Sequence, residues 1–291
     1  MNGAVIVNPA AGRGGACRRW PEVARLLGPM AVRFTEGPGH ASALARELAA
    51  EGFDPIVAAG GDGTLHEVVN ALVRTHPEVR IGLLPLASGG DFARTLGISS
   101  MERAVEAFHR GHVREVDVLR LSFRNGERFA INAVGIGLAA IVAEGARHAP
   151  RLLPGKLRYL ASAIMPLARG ETFDIRVSID GAEPRAYHMT TSALANGRYQ
   201  GGGICIAPEA AIDDGWIDVT VVERVSLAEV CRHLPILYSG KLLTYPKVRN
   251  FRAARVRVES DRPVAVETDG ELAGTLPVEA EISPRALRLI G

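Results

Sequence analysis

Three times in the first hundred residues, an apolar run too short for a helix ends in a glycine-containing turn. AVIV at 4–7 leads into NPAAGRGG, PIVAA at 55–59 into GGDG, and IGLLP at 81–85 into LASGGDF. Short continuous apolar runs bounded by turn signals suit strands buried on both faces. Helical spacing lies between them. Ala41, Leu44, Ala45 and Leu48 share one face before Gly52, a C-cap, and Leu65, Val68, Val69, Leu72 and Val73 share another. Ser99 with Glu102 reads as a capping box opening a helix that ends near Gly111. Strands separated by helices require crossover connections, so the first third predicts a parallel sheet covered by helices.

The pattern changes near residue 113. VREVDVLRLSF and ERFAINAVG flank a tight turn at Asn125-Gly126, and further strand-like runs follow at FDIRVSI, WIDVTVVE (216–223) and ARVRVES (254–260). In the last, Val256 and Val258 alternate with Arg255, Arg257 and Glu259, as a half-exposed strand requires. Helices are expected at about 155–168 and after Ser226, which Glu229 would help cap. The fold class is therefore α/β, with an N-terminal α/β domain over 1–120 and a mainly antiparallel β domain over 121–280.

A net charge of +2 gives no reason to expect a nucleic-acid partner. Cys17, Cys205 and Cys231 show neither metal-ligand nor disulfide spacing and fit a reducing, cytoplasmic setting. The first residues lack the pattern of a signal peptide, and the apolar stretch Ile131 to Ala143 is too short to cross a bilayer. Arg147, Arg151, Lys156 and Arg158 form a local basic cluster. Such a cluster is either a solvated helix face or a contact for an anionic membrane surface.

Glycines at the carboxyl end of a strand let the backbone turn with positive φ and approach a ligand closely. The helix that follows aims its free N–H groups and positive dipole end at the same spot, which suits phosphate. Three such turns on one sheet make a site for a polyphosphate. Asp62 lies among these glycines and would repel bare phosphate. Its presence makes sense if Mg²⁺ bridges it to the phosphates, or if it fixes neighbouring backbone N–H groups. The chain contains no G-x-x-x-x-G-K-[ST] P-loop and no G-x-G-x-x-G after its first strand.

GGDGTLHEVVNAL resembles the nucleotide loop of the diacylglycerol kinase catalytic family, which includes bacterial soluble lipid kinases and the sphingosine and ceramide kinases. NPAAG resembles the family's opening motif. ANGRYQGGGICIAPEAAIDDGWIDV at 195–219 resembles its mid-chain signature, and ETDGELAGTLPVEAEISPRAL its closing one. The resemblance spans the chain in order. It implies a nucleotide-binding domain like that of NAD kinase, a β-sandwich-like lipid-substrate domain, and a last strand, 281–291, returning to the first domain. It implies ATP- and Mg²⁺-dependent phosphorylation of a lipid hydroxyl such as that of diacylglycerol. The lipid would be presented at a membrane surface, so peripheral contact with the inner membrane face is expected. Exposed strand edges in the second domain leave a homodimer as an expectation too.

Carried onto this chain, the resemblance puts ATP against Asn8, Pro9, Ala10, Ala11, Gly12, Thr35, Gly61, Asp62, Gly63, Thr64, Leu65, His66, Glu67 and Ser88. Glu271 corresponds to the proton acceptor, Asp62 to the organiser of catalytic Mg²⁺, and Asp91 to a supporting carboxylate. Asp214, with the carbonyls of Ala211 and Trp216, corresponds to a second metal site. From local sequence alone Asp269-Gly270 reads as a type I′ hairpin turn, and Asn132 and Asn196 as turn caps or cleft residues. The chain departs from the family at Ala87, Ser88 and Gly90, where glycine, threonine and asparagine are usual, and at His66, where asparagine is common. These departures motivate the other reading, a non-catalytic nucleotide- or lipid-binding protein that keeps the fold.

Overall fold

The structure, a computed structural model, describes residues 2–12, 14–87, 90–148 and 155–290. Contacts divide the chain into one unit of residues 1–117 with 284–291 and a second of residues 118–283. The last strand thus contributes its end to the first unit.

In the first unit, strands β1 (Ala4–Val7), β2 (Ala31–Phe34), β3 (Ile56–Gly60) and β4 (Arg80–Pro85) alternate with helices α1 (Gly15–Leu27), α2 (His40–Ala50) and α3 (Asp62–Leu72). α4 (Asp91–Thr95) and α5 (Met101–Arg110) follow. β1 pairs in parallel with β2 and β3, and β3 with β4. β1 and β3 are buried along their whole length, which is why their sequences are continuously apolar. α5 shows how a helix is attached here: Met101, Ala104, Val105 and Phe108 fall on one face and join a core with Trp20, Val57 and Leu84. Its N-cap is Ser100, whose hydroxyl accepts the Arg103 N–H, rather than the expected Ser99. Both serines carry a suitable hydroxyl, so only the backbone path separates them.

The second unit is antiparallel. β5 (Val113–Phe123), β6 (Gly126–Ala130), β7 (Ala133–Gly137), β8 (Phe173–Ile179) and β9 (Arg185–Ala195) enclose two helices, α6 (Leu138–His148) and α7 (Gly155–Ala168). Then come β10 (Tyr199–Gln200), β11 (Ile204–Cys205), β12 (Ile217–Glu223), α8 (Leu227–Arg232), α9 (Leu234–Tyr238), β13 (Val248–Ala253), β14 (Arg255–Glu259), β15 (Ala265–Thr268), β16 (Glu271–Thr275) and β17 (Val278–Ile290). β9 pairs with β7, β8 and β12, and its buried residues Met189 and Leu194 join the core with Leu119, Val219 and Val256. The loop between β5 and β6 is Arg124-Asn125, one residue earlier than expected, because Phe123 pairs with Gly126. Asn125 is not among the positive-φ residues, so this turn is not of type I′. Ser226 and Glu229 do form a full capping box on α8.

β17 changes partners along its length. Val278–Glu281 pairs antiparallel with β14, whereas Arg288–Ile290 pairs in parallel with β4 of the first unit's sheet. Where the strand enters the first unit, Arg285 adopts φ 53, and its N–H donates to the buried Asp117 carboxylate at 2.8 Å.

Candidate active site

In the first unit the three glycine turns interlock. The side-chain amide of Asn8 donates to Thr64 Oγ1 at 3.1 Å, which ties the β1–α1 turn to the start of α3. Asn8 Oδ1 accepts the N–H of Ala10, and the Ala11 N–H returns to the Asn8 carbonyl, closing the turn through Pro9. Gly12 has φ +57, and a Cβ there would stand 2.7 Å from the Leu86 carbonyl oxygen of the third turn. Gly60 is equally constrained, because a Cβ on it would meet Thr64 Oγ1 at 2.3 Å. The N–H groups of Leu86 and Ala87 both donate to the Gly60 carbonyl. The Ala87 methyl leans over Gly61, 3.3 Å from where a Cβ of that residue would be. That departure from the family pattern therefore fills space beside the second turn. Ser88 and Arg13 lie outside the described residues.

The acids of this unit bind main-chain amides. Asp62, at the start of α3, accepts the Asp91 N–H at 3.1 Å and so fixes the opening of α4. Of the two explanations its sequence context allowed, the amide-fixing one is visible directly. Asp91 itself is buried, with the Arg94 guanidinium 3.9 Å away. Glu67 accepts from the N–H groups of Gly39 (2.8 Å) and Ala41 (2.9 Å), supplying the N-terminal cap that α2 lacks from its own residues. Gly63 lies in the first turn of α3, and His66 is half-buried with its carbonyl accepting from Asn70. Leu65 faces the core, and its N–H donates to Gly61 O. Thr35, also buried, is held at the end of β2 by its N–H on Val7 O. A cavity of about 600 Å³ opens beside the third turn, lined by Pro85, Ala87, Gly90, Arg94 and Arg19. Asn8–Gly12, Thr35 and Gly61–Glu67 are not in its wall.

In the second unit β15 and β16 form a hairpin with Thr268 opposite Glu271. The two loop residues, Asp269 (φ 50) and Gly270 (φ 90), both have positive φ, as a type I′ turn demands. The Asp269 carboxylate reaches far beyond its hairpin. It accepts the N–H groups of Ile131 (3.1 Å), Asn132 (3.0 Å) and Ala133 (3.1 Å). Glu267, 2% exposed, accepts the Gly270 N–H at 2.6 Å and also bonds Gln200. Asn132 and Asn196 belong to the same assembly: Asn132 donates to Tyr199 O and Asn196 to Ile131 O, each at 2.8 Å. Glu271 follows this pinned turn. Its side chain is 43% exposed and pairs with the Arg147 guanidinium of α6. Asp269, Glu267 and Arg147 were not among the expected site residues. The Asp-Gly pair signalled a turn, but nothing local signalled what its carboxylate holds.

Asp214 is engaged differently from the second metal site that the resemblance implies. One oxygen accepts the Trp216 N–H at 3.1 Å, and the other pairs with Arg252, whose Nε also lies 3.7 Å from the buried Asp218. The guanidinium stands 6.0 Å from the Trp216 ring centre. Burial pushes the Asp218 carboxyl up to about 6, opposed by Arg252. A metal ion here would have to displace Arg252 from Asp214, so the donor set does not fit an open cation site. Among the described residues no group of three or more His, Cys, Asp or Glu side chains is placed to hold a metal.

An NAD kinase from Archaeoglobus fulgidus, solved in complex with ATP, shares this fold at a TM-score of 0.55 and 15% identity, covering 100% of this chain and 94% of that one. The model of the diacylglycerol kinase catalytic domain matches residues 2–121, and that of the YegS C-terminal NAD kinase beta sandwich-like domain matches residues 132–291. A diacylglycerol kinase of Mycobacterium tuberculosis is 28% identical over 98% of this chain and 93% of its own length. One of Staphylococcus carnosus is 26% identical over 94% and 89%. A solved Bacillus anthracis protein, provisionally described as a diacylglycerol kinase, superposes with TM-score 0.81 at 26% identity over 99% and 96%. The chain belongs to the diacylglycerol kinase catalytic family and is a diacylglycerol kinase-like lipid kinase.

Proposed function

We propose that the protein transfers the γ-phosphate of ATP to a hydroxyl of diacylglycerol or a closely related lipid, with Glu271 as general base. The observation that carries the assignment of the base is its setting. Glu271 emerges from a hairpin held by three main-chain bonds to Asp269, and its own partner is a half-exposed arginine side chain rather than a backbone amide. The glycine-containing turns at Asn8–Gly12 and at Gly61–Thr64 receive the triphosphate beside the N-terminal end of α3. Asp62, whose carboxylate is the hard oxygen donor that Mg²⁺ prefers, would hold that ion, which would neutralise phosphate charge when bound. Glu271 leaves Arg147 and takes the proton of the lipid hydroxyl. The hydroxyl oxygen bonds to the γ-phosphorus as the bond to the β-phosphate oxygen breaks, and ADP departs.

The test is transfer from labelled ATP to a panel of lipids in mixed micelles. Labelled phosphatidic acid from diacylglycerol is the expected product. Label on a different lipid alcohol only would replace the acceptor, and ATP binding with transfer to none would overturn the reading in favour of a non-catalytic binding protein.

A further inference from the structure

One row of residues crosses the antiparallel sheet of the second unit, from the Glu271 hairpin to an arginine. Ala133 on β7 stands opposite Ala195 on β9, Ala195 opposite Asp218 on β12, and Asp218 opposite Arg252 on β13. Residues directly opposite each other share a face of the sheet, so the row ends with a carboxylate beside a guanidinium. At its other end the Ala133 N–H donates to Asp269, the acid that pins the turn before Glu271. Chain covers this face: Ala133 and Ala195 pack with Ile206, Ala207 and Ala210. On it Asp218 is 1% exposed, and among the described residues neither of its oxygens accepts a hydrogen bond.

A buried carboxylate is kept charged by a paired cation or a metal ion. The family resemblance implies a metal ion beside this strand, on Asp214 and the carbonyls of Ala211 and Trp216. The structure puts an arginine there. The Arg252 guanidinium pairs with one oxygen of Asp214, while the other accepts the Trp216 N–H at 3.1 Å. Its Nε lies 3.7 Å from Asp218, and its centre 6.0 Å from that of the Trp216 ring. One side chain thus meets the acid of the 206–216 loop and the buried acid of the strand that follows it. Strand register fixes the placement, since Arg252 is the direct partner of Asp218. A guanidinium suits the task. It is charged at every relevant pH and carries five N–H donors in a rigid fork, and being covalently tethered it cannot be removed by a chelator.

We propose that Arg252 is the built-in cation of this loop, standing where a divalent ion would otherwise sit, so that residues 206–216 keep their shape without metal. The inference does not depend on the kinase reading, because it concerns the order of one loop and not phosphoryl transfer. Its bearing on the site runs along the row: the strand ends that Arg252 ties together lead back to Ala133 and the Asp269 turn.

The experiment is hydrogen exchange read by mass spectrometry in the peptide spanning residues 208–218, which holds the Trp216 N–H. The proteins are the wild type, Arg252→Met, which keeps an apolar stem and removes the charge, and Arg252→Lys, which keeps the charge and loses the fork. The Arg252 side chain is 42% exposed, so both variants are expected to fold, with circular dichroism matching the wild type. A peptide covering 62–72 follows Asp62 separately, so that ion binding in the first unit is not mistaken for binding here. In the wild type, EDTA and millimolar Mg²⁺ or Ca²⁺ should leave exchange in 208–218 unchanged. In EDTA, Arg252→Met should exchange about two- to fivefold faster. Millimolar Mg²⁺ or Ca²⁺ should slow it again, because Asp214 and Asp218 are then hard oxygen donors open to an ion. Arg252→Lys should fall between the two. Faster exchange of the wild type in EDTA, reversed by Mg²⁺, would overturn the proposal by showing an ion in the loop. So would exchange in Arg252→Met equal to the wild type, or an Arg252→Met loop indifferent to both ions.

Discussion

The two units treat their acidic residues in contrasting ways. In the first, Asp62 and Glu67 accept N–H groups from the starts of other helices, and the glycine turns are packed so closely that a single methyl would clash. In the second, Asp269 and Glu267 do the same for the hairpin, but the residue they position, Glu271, pairs with a side chain on a neighbouring helix. An acid bonded to several backbone amides is a fixed part of the scaffold, because moving it leaves those donors unsatisfied. An acid paired to a half-exposed arginine can exchange partners at little cost, since such pairs contribute little to stability. The difference separates acids that shape the site from one able to handle a proton.

The substitution expected to have the largest effect is Glu271→Gln. It keeps the shape and removes the base, so lipid phosphorylation should fall about 10²–10⁴-fold with ATP affinity unchanged. Undiminished turnover would erase the distinction between Glu271 and the scaffold acids. Asp269→Ala should show the opposite profile: a loss of about 3 kcal/mol in stability by urea denaturation, because three N–H groups lose a charged acceptor. If instead stability stays constant and only turnover falls, Asp269 belongs with the chemistry. In the first unit, Gly60→Ala should cost about 1–3 kcal/mol through the clash with Thr64 and weaken nucleotide binding by the same displacement. Unaltered nucleotide affinity would show that the triphosphate does not use these turns.

The smallest effect concerns Glu229, away from both sites. Its bonds to Lys247 and to the Ser226 N–H and hydroxyl hold its carboxyl down at about 2, against an ordinary 4.5. A depressed acid stabilises the fold above its unfolded value and loses that contribution as pH falls. The gap in melting temperature between wild type and Glu229→Gln should therefore be level above about pH 5 and close as pH falls from about 4.5 toward 2. A gap that widens with acid would contradict the bonds to Lys247 and Ser226 as its origin.

Much of the plan was legible in residue order, for reasons that are local. Continuous apolar runs before glycine turns specify buried parallel strands, since the backbone of β1 and β3 is covered on both faces. The capping box at Ser226 and the span of α7 were equally readable, because each depends on residues within a few turns of helix. Small offsets arose where neighbours offered the same chemistry. Ser99 and Ser100 both bring a hydroxyl, and the register of β5 on β6 moved the expected turn by one residue. Leu65, expected at the nucleotide turn, falls on the inward face of α3 and its side chain is buried.

The sequence by itself determined the α/β first unit, the antiparallel second one and the turns at their strand ends, all written in spacings of a few residues. Only the tertiary structure decided which amides each acid would hold, that Arg147 would face Glu271 across 124 positions of chain, and that Arg252 would occupy Asp214. It also decided that α7 leaves Leu157, Ile164 and Met165 exposed. Periodicity reports that a helix has two faces, but whether the apolar one meets a core or solvent depends on what the rest of the chain packs against it, and that is a property of the assembled fold.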